Sequence, residues 1–277
     1  MGEQSLQIRS LSERYDGHVE SREQAPHMVA RVAAVLRAVA ASEPDGASTT
    51  ELSRTADLAR PTAHRLLTSL AEEGLVDRDA KSGRWSLGPE LYLLGTAAGS
   101  RYDITDYARD VLEDLARLTG ESAFLSARRG DETICVLRQE GSFPLRSHVL
   151  HEGKRFPLGV ASAGLAILSH SPADEVDSYL ARKNLTTEWG EDHSAESIRR
   201  RISLTRAVGY AVNPALLVEG SWGIGAAVFD RRERPAWALS LTGVETRFRP
   251  DRIPELGKLL LEQAHILTTR LKTHTVP

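Results

Sequence analysis

A single cysteine, Cys135, is all the thiol chemistry this 277-residue chain holds. One thiol excludes an internal disulfide framework and any multi-cysteine zinc site, and it fits a reducing cytoplasm. No stretch reaches the roughly 18 consecutive apolar residues that a membrane-spanning helix needs. Residues 1–25 are polar, mixed in charge and without an apolar signal region, so they are expected to form a mobile tail rather than a leader. The chain also lacks an excess of either charge. Its 35 Lys and Arg against 38 Asp and Glu leave a formal net charge of −3. Attraction to nucleic acid or to an anionic membrane must therefore come from a local patch. Internal repeats and low-complexity runs are missing too. So are the common catalytic signatures. "EGSWG" and "VASAG" both miss the G-x-S-x-G spacing of a nucleophile elbow. "GSWGIG" lacks the lysine of a phosphate-binding loop and the helix that a dinucleotide-binding turn opens. His148 and His151 stand three apart in a segment that reads as extended, on opposite faces and without a third ligand. A hydrolase or metal enzyme is disfavoured on these grounds, and no cofactor is expected.

What is present suits two domains. Residues 26–42 place Val29, Val32, Ala33, Leu36, Val39 and Ala40 at helical spacing, with Arg31 and Arg37 off that face. "EPDGA" breaks the helix. Ser48 and Glu51 then stand in capping-box spacing and start a short helix. The next helix opens with Pro61 in its first turn, carries Ala63, Leu66, Leu67 and Leu70 as one apolar stripe, and stops at Gly74. "LVDRD" and "RWSLG" read as a small hairpin. Residues 89–104, apolar early and Gly/Ala-rich late, read as a connecting helix and a domain boundary. Beyond it, "TDYARDVLEDLARLTG" is a helix and "SAFLSARRGDETICVLRQ" a hairpin turning at Gly130-Asp131. "FPLRSHV" and "KRFPLG" read as short strands, and "VASAGLAILSH" as a helix of small residues. "SPADEVDSYLARK" is a helix with Ser171 as its cap, and "SAESIRRRISLTRAVG" a helix closed by Gly209. "YAVNPALLV", "GIGAAVFD" and "PAWALSLTGV" are strands, and a long helix runs from about residue 251 to 272.

The helix that begins near Arg60 has an uneven charge layout. With its leucine stripe inward, Pro61, Arg65, Thr68 and Glu72 face outward, flanked by Thr62, His64 and Ser69. The front of that surface is short and rich in donors, and the acids Glu72 and Glu73 sit at the far end. A helix that enters the major groove needs this order, since its N-terminal residues reach base edges and its acids stay away from phosphate. The hairpin would lie alongside as a wing that offers Lys81 and Arg84 to phosphate or the minor groove. The cations and acids of residues 26–88 balance, so residue chemistry alone leaves two readings open. One is a DNA-reading domain; the other is a generic three-helix domain with a solvated charged face.

The motif decides between them. "STTELSRTADLARPTAHRLLTSLAEEGLVDRDAKSGRWSLGPELYLLG" resembles the winged helix-turn-helix of the IclR family of bacterial transcription regulators. Leu52, Arg60, Thr62, His64, Arg65, Leu66, Leu67, Leu70, Gly74, Leu75, Val76, Trp85, Leu87 and Gly88 fall on the family pattern. Pro61 stands where the family usually has Ser or Thr, which removes a hydroxyl suited to phosphate. The resemblance implies DNA contacts from Arg60, Thr62, His64, Arg65, Thr68, Lys81 and Arg84.

It extends to about Leu271 through "RFPLGVASAGLAIL", "RAVGYAVNPALLVEGSWGIGAAVFD" and "PAWALSLTG". Family members carry there an effector-binding domain similar to the GAF and PAS folds, with a curved antiparallel sheet and flanking helices. Ser240 and Thr242, two apart on a strand, point to one side of the sheet. Ser162 and Ala163 start a helix whose first N–H groups can receive a carboxylate. By position in the family pattern, Leu158, Ser162, Ala163, Asn213, Trp222, Gly223, Ser240 and Thr242 line the effector pocket. Departures are Gly159 for the usual His, Leu165 for a basic residue, Asn213 for an Asp, and Trp222-Gly223 where Cys or Ser often follows. They make the pocket less charged and give it an expected aromatic wall, which suits an effector larger or more apolar than a two- or three-carbon acid.

The resulting expectation is an α+β chain. Residues 1–25 form a tail, 26–88 a winged helix-turn-helix domain, 89–104 a linker helix, and 105–277 an effector-binding and oligomerisation domain. The protein is expected to be a cytoplasmic, nucleoid-associated regulator of a metabolic operon. Repression is the commoner family habit. Its expected partners are double-stranded operator DNA, a small organic-acid effector and itself, as a homodimer or a dimer of dimers, with no membrane. The competing readings are a non-catalytic sensing or protein-interaction module and, further off, a hydrolase.

Overall fold

The computed structural model describes residues 28–99 and 104–273. The expected tail, the end of the expected linker helix and residues 274–277 lie outside the described residues. The chain divides into two units at residue 100.

The first unit contains α1 (Met28–Ala40), α2 (Thr49–Thr55), α3 (Arg60–Glu72), a hairpin of β1 (Val76–Arg78) and β2 (Trp85–Leu87), and α4 (Pro89–Gly99). The capping box of α2 forms in both directions: Ser48 N donates to Glu51 at 2.7 Å and Glu51 N donates to Ser48 Oγ at 3.3 Å. Helix α3 ends in a Schellman pattern, with Leu75 N bonded to Leu70 O, Gly74 N to Ala71 O, and Gly74 at φ 69°. Leu52, Leu66, Leu67, Leu70, Val76 and Trp85 form the core, and Trp85 Nε1 donates to Thr49 Oγ1 at 2.9 Å. The face that α1 buries overlaps the expected one at Val32, Leu36 and Val39 and is rotated from it elsewhere. Val35, Ala38 and Val39 are inside, while Val29 is 77% exposed and Ala40 is exposed. Nearly every residue of α1 is apolar, so its pattern admits more than one inward face, and packing selects among them.

The second unit is an antiparallel six-stranded sheet in the order β5-β4-β3-β8-β7-β6. Its strands are β3 (Ser122–Arg129), β4 (Glu132–Gln139), β5 (Arg155–Pro157), β6 (Ala211–Pro214), β7 (Ser221–Phe229) and β8 (Pro235–Val244). Side-chain alternation separates two cores. Leu125, Ile224, Ala226, Leu239 and Leu241 face α5 (Ile104–Thr119) and α10 (Ile253–Thr273). Phe124, Ala227 and Ala238 belong to the other core, with α6 (Ser162–Ser169), α7 (Ala173–Arg182), the short α8 (Thr186–Trp189) and α9 (Ala195–Val208). This is the expected α+β class.

Three local expectations fail. "FPLRSHV" forms no strand, and the strand expected over "YAVNPALLV" stops at Pro214. The next residue, Ala215, has φ 56°, which ends extended pairing. Ser171 does not cap α7. Pro172 holds the cap position, and Ser171 Oγ donates to Ile167 O and accepts from Arg128.

Candidate functional site

Each unit offers one surface with chemistry. In the first, Arg60, His64, Arg65 and Thr68 are exposed on α3, and Thr62 is half-buried. Arg60 Nε donates to Thr50 Oγ1 at 3.2 Å and so ties α3 to α2. Thr68 Oγ1 donates back to His64 O at 3.0 Å. Lys81 is exposed at the wing tip, where Asp79 accepts from Lys81 N, Ser82 N and Ser82 Oγ and so orders the turn. Arg84 is placed otherwise than expected. Its guanidinium donates to Asp45 O at 3.0 Å and to Gly46 O at 2.7 Å, and lies 3.7 Å from Glu51. It clamps the wing to the loop before α2, a structural role that the sequence reading did not foresee.

The second surface is a cavity on the α6 side of the sheet, with about 460 Å³ of open space counting its mouth. Seven of the eight expected pocket residues border it: Ser162, Ala163, Asn213, Trp222, Gly223, Ser240 and Thr242. Ser240 and Thr242 do share a side of β8, where they pair with Gly225 and Gly223 of β7. Both hydroxyls are buried without a partner among the described residues. Helix α6 begins directly above. A Cβ at Gly225 would lie 2.7 Å from the Ser162 carbonyl, so glycine is what lets the helix end rest on the strand backbone. Ala161 caps α6 with no side-chain bond, and the N–H groups of Ser162, Ala163 and Gly164 find no acceptor among the described residues. Two orphan hydroxyls therefore face a helix end with free donors, an arrangement that favours an anionic or strongly accepting group. No charged side chain lines the cavity.

The turn before α6 is held by three side chains, of which Asn213 also lines the cavity. Tyr179 OH donates to Leu158 O at 2.7 Å, Arg201 Nη2 to Gly159 O at 3.0 Å, and Asn213 Nδ2 to Val160 O at 2.7 Å. His193 Nε2 also faces Val160 O, at 3.4 Å, while its Nδ1 meets Trp189 O at 2.8 Å. Burial lowers the His193 pKa below the usual imidazole range, against the raising effect of its hydrogen bond to the Trp189 carbonyl. Burial likewise raises that of the Tyr179 phenol. Asn213 is thus a bracket as much as a lining residue, for its Oδ1 accepts from Leu216 N at 3.2 Å.

One expected residue is placed elsewhere, and a second only partly serves the cavity. Leu158 is buried in the core and does not border the cavity; only its carbonyl takes part, through Tyr179. Trp222 borders the cavity, but alternation along β7 puts it on the face of Ile224 and Ala226, and its side chain packs into the α5/α10 core. The aromatic ring of the cavity wall comes instead from Phe156 on β5, set edge-on to Trp189 at 5.6 Å. Sequence reasoning also missed Ser126, Thr133, Val149, Leu150, Ala161, Leu217 and Ser221. Alternation from Phe124 would have reached Ser126. Nothing local marked Val149, Leu150 or Leu217, which lie in irregular segments.

Cys135 is buried and its thiol is pushed up to about 12, chiefly by desolvation, so it stays protonated. Among the described residues no cluster of His, Cys, Asp and Glu could hold a metal ion, and no helix is long and apolar enough to cross a membrane.

Both units match known families. The IclR helix-turn-helix domain matches residues 28–80, and the family described as bacterial transcriptional regulator IclR C-terminal matches residues 96–269. The HTH-type transcriptional regulator KipR of Bacillus subtilis is 32% identical over 215 residues, covering 77% of this chain and 85% of that protein. The glycerol operon regulatory protein of Streptomyces coelicolor is 32% identical over 222 residues, covering 78% and 84%. Among solved structures, the IclR protein of Thermotoga maritima superposes with a TM-score of 0.69 at 26% identity, over 88% of this chain and 98% of that one. An IclR homologue from Microbacterium hydrocarbonoxydans, complexed with 4-hydroxybenzoate, shares the fold with a TM-score of 0.72 at 21% identity, over 89% and 100%.

Proposed function

The chain belongs to the IclR family of bacterial transcriptional regulators, and from that premise we propose that it represses a metabolic operon and releases it when a small organic acid fills the cavity beneath α6. The observation that carries the effector half is the pair of buried, partnerless hydroxyls of Ser240 and Thr242 facing the uncapped start of α6. A buried hydroxyl left unpaired costs about 1–3 kcal/mol, and a carboxylate satisfies two hydroxyls and backbone N–H groups together. Phe156 offers a flat apolar wall for the rest of the molecule. That wall, and the 4-hydroxybenzoate held by one protein of the same fold, support an aromatic acid.

Operator DNA is read by the front of α3, with Arg65 and His64 toward base edges and Arg60, Thr62 and Thr68 beside them. Lys81 meets phosphate from the wing. Helix α4 supports self-association. None of its residues is buried in its own unit, and Tyr92, Leu93 and Leu94 are 76%, 58% and 53% exposed. Pairing two such chains matches a palindromic site, since one module reads one half-site. Effector and DNA then compete through linkage, each favouring a different arrangement of the pair, with a coupling of about 1–3 kcal/mol.

A footprint on the DNA upstream of the protein's own gene, repeated with a panel of aromatic and aliphatic acids, tests this reading. Protection of a palindromic site that one acid lifts is the expected result. Protection indifferent to every acid removes the effector half; absence of any protected site removes the operator half.

A further inference from the structure

An anion seated in the cavity loses its hydration and needs positive potential in return. Hydroxyls and backbone N–H groups supply part of that, but the lining contributes no cation. We propose that Arg201, which does not border the cavity, is the residue that makes the site select an anion over a neutral molecule of the same shape. The inference rests on the effector reading above and adds to it the source of charge selectivity.

Arg201 projects from α9 onto the turn that precedes α6. Its Nη2 donates to Gly159 O at 3.0 Å and to Asp192 O at 3.2 Å, both uncharged carbonyls. Its Nε and Nη1 are buried and have no partner. Other half-buried arginines of this unit, Arg128, Arg155, Arg247 and Arg252, each meet a carboxylate. Arg201 has no carboxylate of the described residues within salt-bridge reach. Burial pushes its pKa down to about 10, with the exposed Asp192 opposing the shift and Arg200 adding to it, so the group stays charged at neutral pH. Its neighbour His193 carries no compensating charge, and the Arg201 charge contributes to lowering the His193 pKa. A positive charge therefore stands in a half-buried place with little to cancel it, where its field is weakly screened.

That charge lies close to the cavity. The carbonyl that Arg201 holds belongs to Gly159, and Ala161, two residues on, caps α6 and borders the open space. Chain geometry keeps the guanidinium within about 12 Å of the first free N–H of α6. At an effective dielectric near 20, a unit charge at that range is worth on the order of tenfold in affinity for a monoanion. It is worth nothing for a neutral isostere. The effect is mutual, because a bound anion offsets the cost of keeping the guanidinium in place.

The test is calorimetric titration of the full chain at pH 7 with 4-hydroxybenzoate and with 4-hydroxybenzamide. The wild type should bind the acid on the order of tenfold more tightly than the amide. Arg201→Gln, which keeps a donor in the side chain but no charge, should weaken the acid alone, by on the order of tenfold, and shrink its preference over the amide by the same factor. Arg201→Lys should retain the preference. Surviving amide affinity in Arg201→Gln is the sign that the cavity still forms. A preference for the acid that is undiminished in Arg201→Gln overturns the inference, and so does a wild type that binds acid and amide alike; both leave the cavity reading standing. Loss of both ligands in Arg201→Gln makes Arg201 a prop for the turn and also overturns it. A wild type that binds neither this pair nor lactate and lactamide overturns the effector reading itself, and the inference with it.

Discussion

The side-chain amide of Asn213 donates to the carbonyl oxygen of Val160 at 2.7 Å, and its own oxygen accepts from Leu216 N at 3.2 Å. One buried side chain therefore fastens the end of β6 to the turn that launches α6. Substitution by aspartate replaces the donor with a carboxylate that faces a carbonyl. The Asn213→Asp variant should lose about 1–3 kcal/mol at neutral pH, the cost of a buried polar contact left unmade. The introduced carboxyl can donate to Val160 O when protonated, so its folded pKa is raised above the usual 3.9 or so. The contribution of that bond is then present below the unfolded value and lost as pH rises through the folded pKa. Urea unfolding of the variant at several pH values checks this, and a stability loss that shrinks toward pH 7 contradicts it.

Gly225 should tolerate no side chain. An added Cβ would meet the Ser162 carbonyl at 2.7 Å and Ala163 N at 2.9 Å, both backbone atoms that cannot swing aside. Gly225→Ala should push α6 off the sheet, cost about 1–3 kcal/mol in the second unit and weaken effector binding. Chemical denaturation and titration of the same preparation test the two effects together. A fully stable variant with normal effector affinity would show that the helix end does not rest on the strand as described.

On the proposed DNA surface three cations should differ in role. Arg65→Ala should cost roughly 1–3 kcal/mol of specific operator affinity, the worth of a bidentate base contact. Lys81→Ala should weaken binding to all sequences alike and reduce the salt slope by about one unit. Arg84→Ala should lower the thermal stability of the first unit instead, because Arg84 braces the wing against Asp45 and Gly46. Gel-shift titrations over a salt series, paired with melting curves, distinguish these. Normal operator affinity in a folded Arg65→Ala protein removes the groove assignment.

Acidification should loosen the effector unit through His193. The folded imidazole has a lowered pKa because it is buried, with the Arg201 charge adding to the shift while the Trp189 and Val160 carbonyls and Asp192 oppose it. The unfolded chain therefore takes up a proton before the folded one does. Stability from this group is complete above the unfolded value of about 6.5 and falls as pH drops below it toward the folded pKa. His193→Gln should flatten the stability profile between about pH 7 and 5. An unchanged slope would place the acid sensitivity elsewhere.

Much of this architecture was legible because it is local. The capping box at Ser48 and Glu51, the proline and glycine that bound α3, and the alternation that turns Ser240 and Thr242 to one side all follow from short spacings. Trp222 borders the cavity, as expected, but its second role, packing against the α5/α10 core, was not foreseen although the same alternation applies to it. Gly223 and Gly225 share the cavity side, so the residue between Ser221 and Gly223 must turn to the other core. The inward face of α1 was read only in part, at Val32, Leu36 and Val39, because a helix of nearly unbroken apolar residues carries no single stripe. Ser171 failed as a cap because its hydroxyl reaches back to Ile167 instead. Tyr179, Arg201 and His193 were out of reach for a different reason. They act on the turn at Leu158–Val160 from 21 to 42 residues away, through contacts that only the tertiary fold creates.

The most direct measurement is calorimetric titration of wild type and Ser240→Ala with an acid that lifts the footprint, with operator affinity followed in parallel. Each charge-assisted hydrogen bond is worth about 1.5–3 kcal/mol. Ser240→Ala should therefore bind the acid at least about tenfold more weakly, and should need correspondingly more of it to leave the operator. Equal acid affinity in the two proteins would contradict the account, for it would mean that the effector binds somewhere other than the cavity beneath α6.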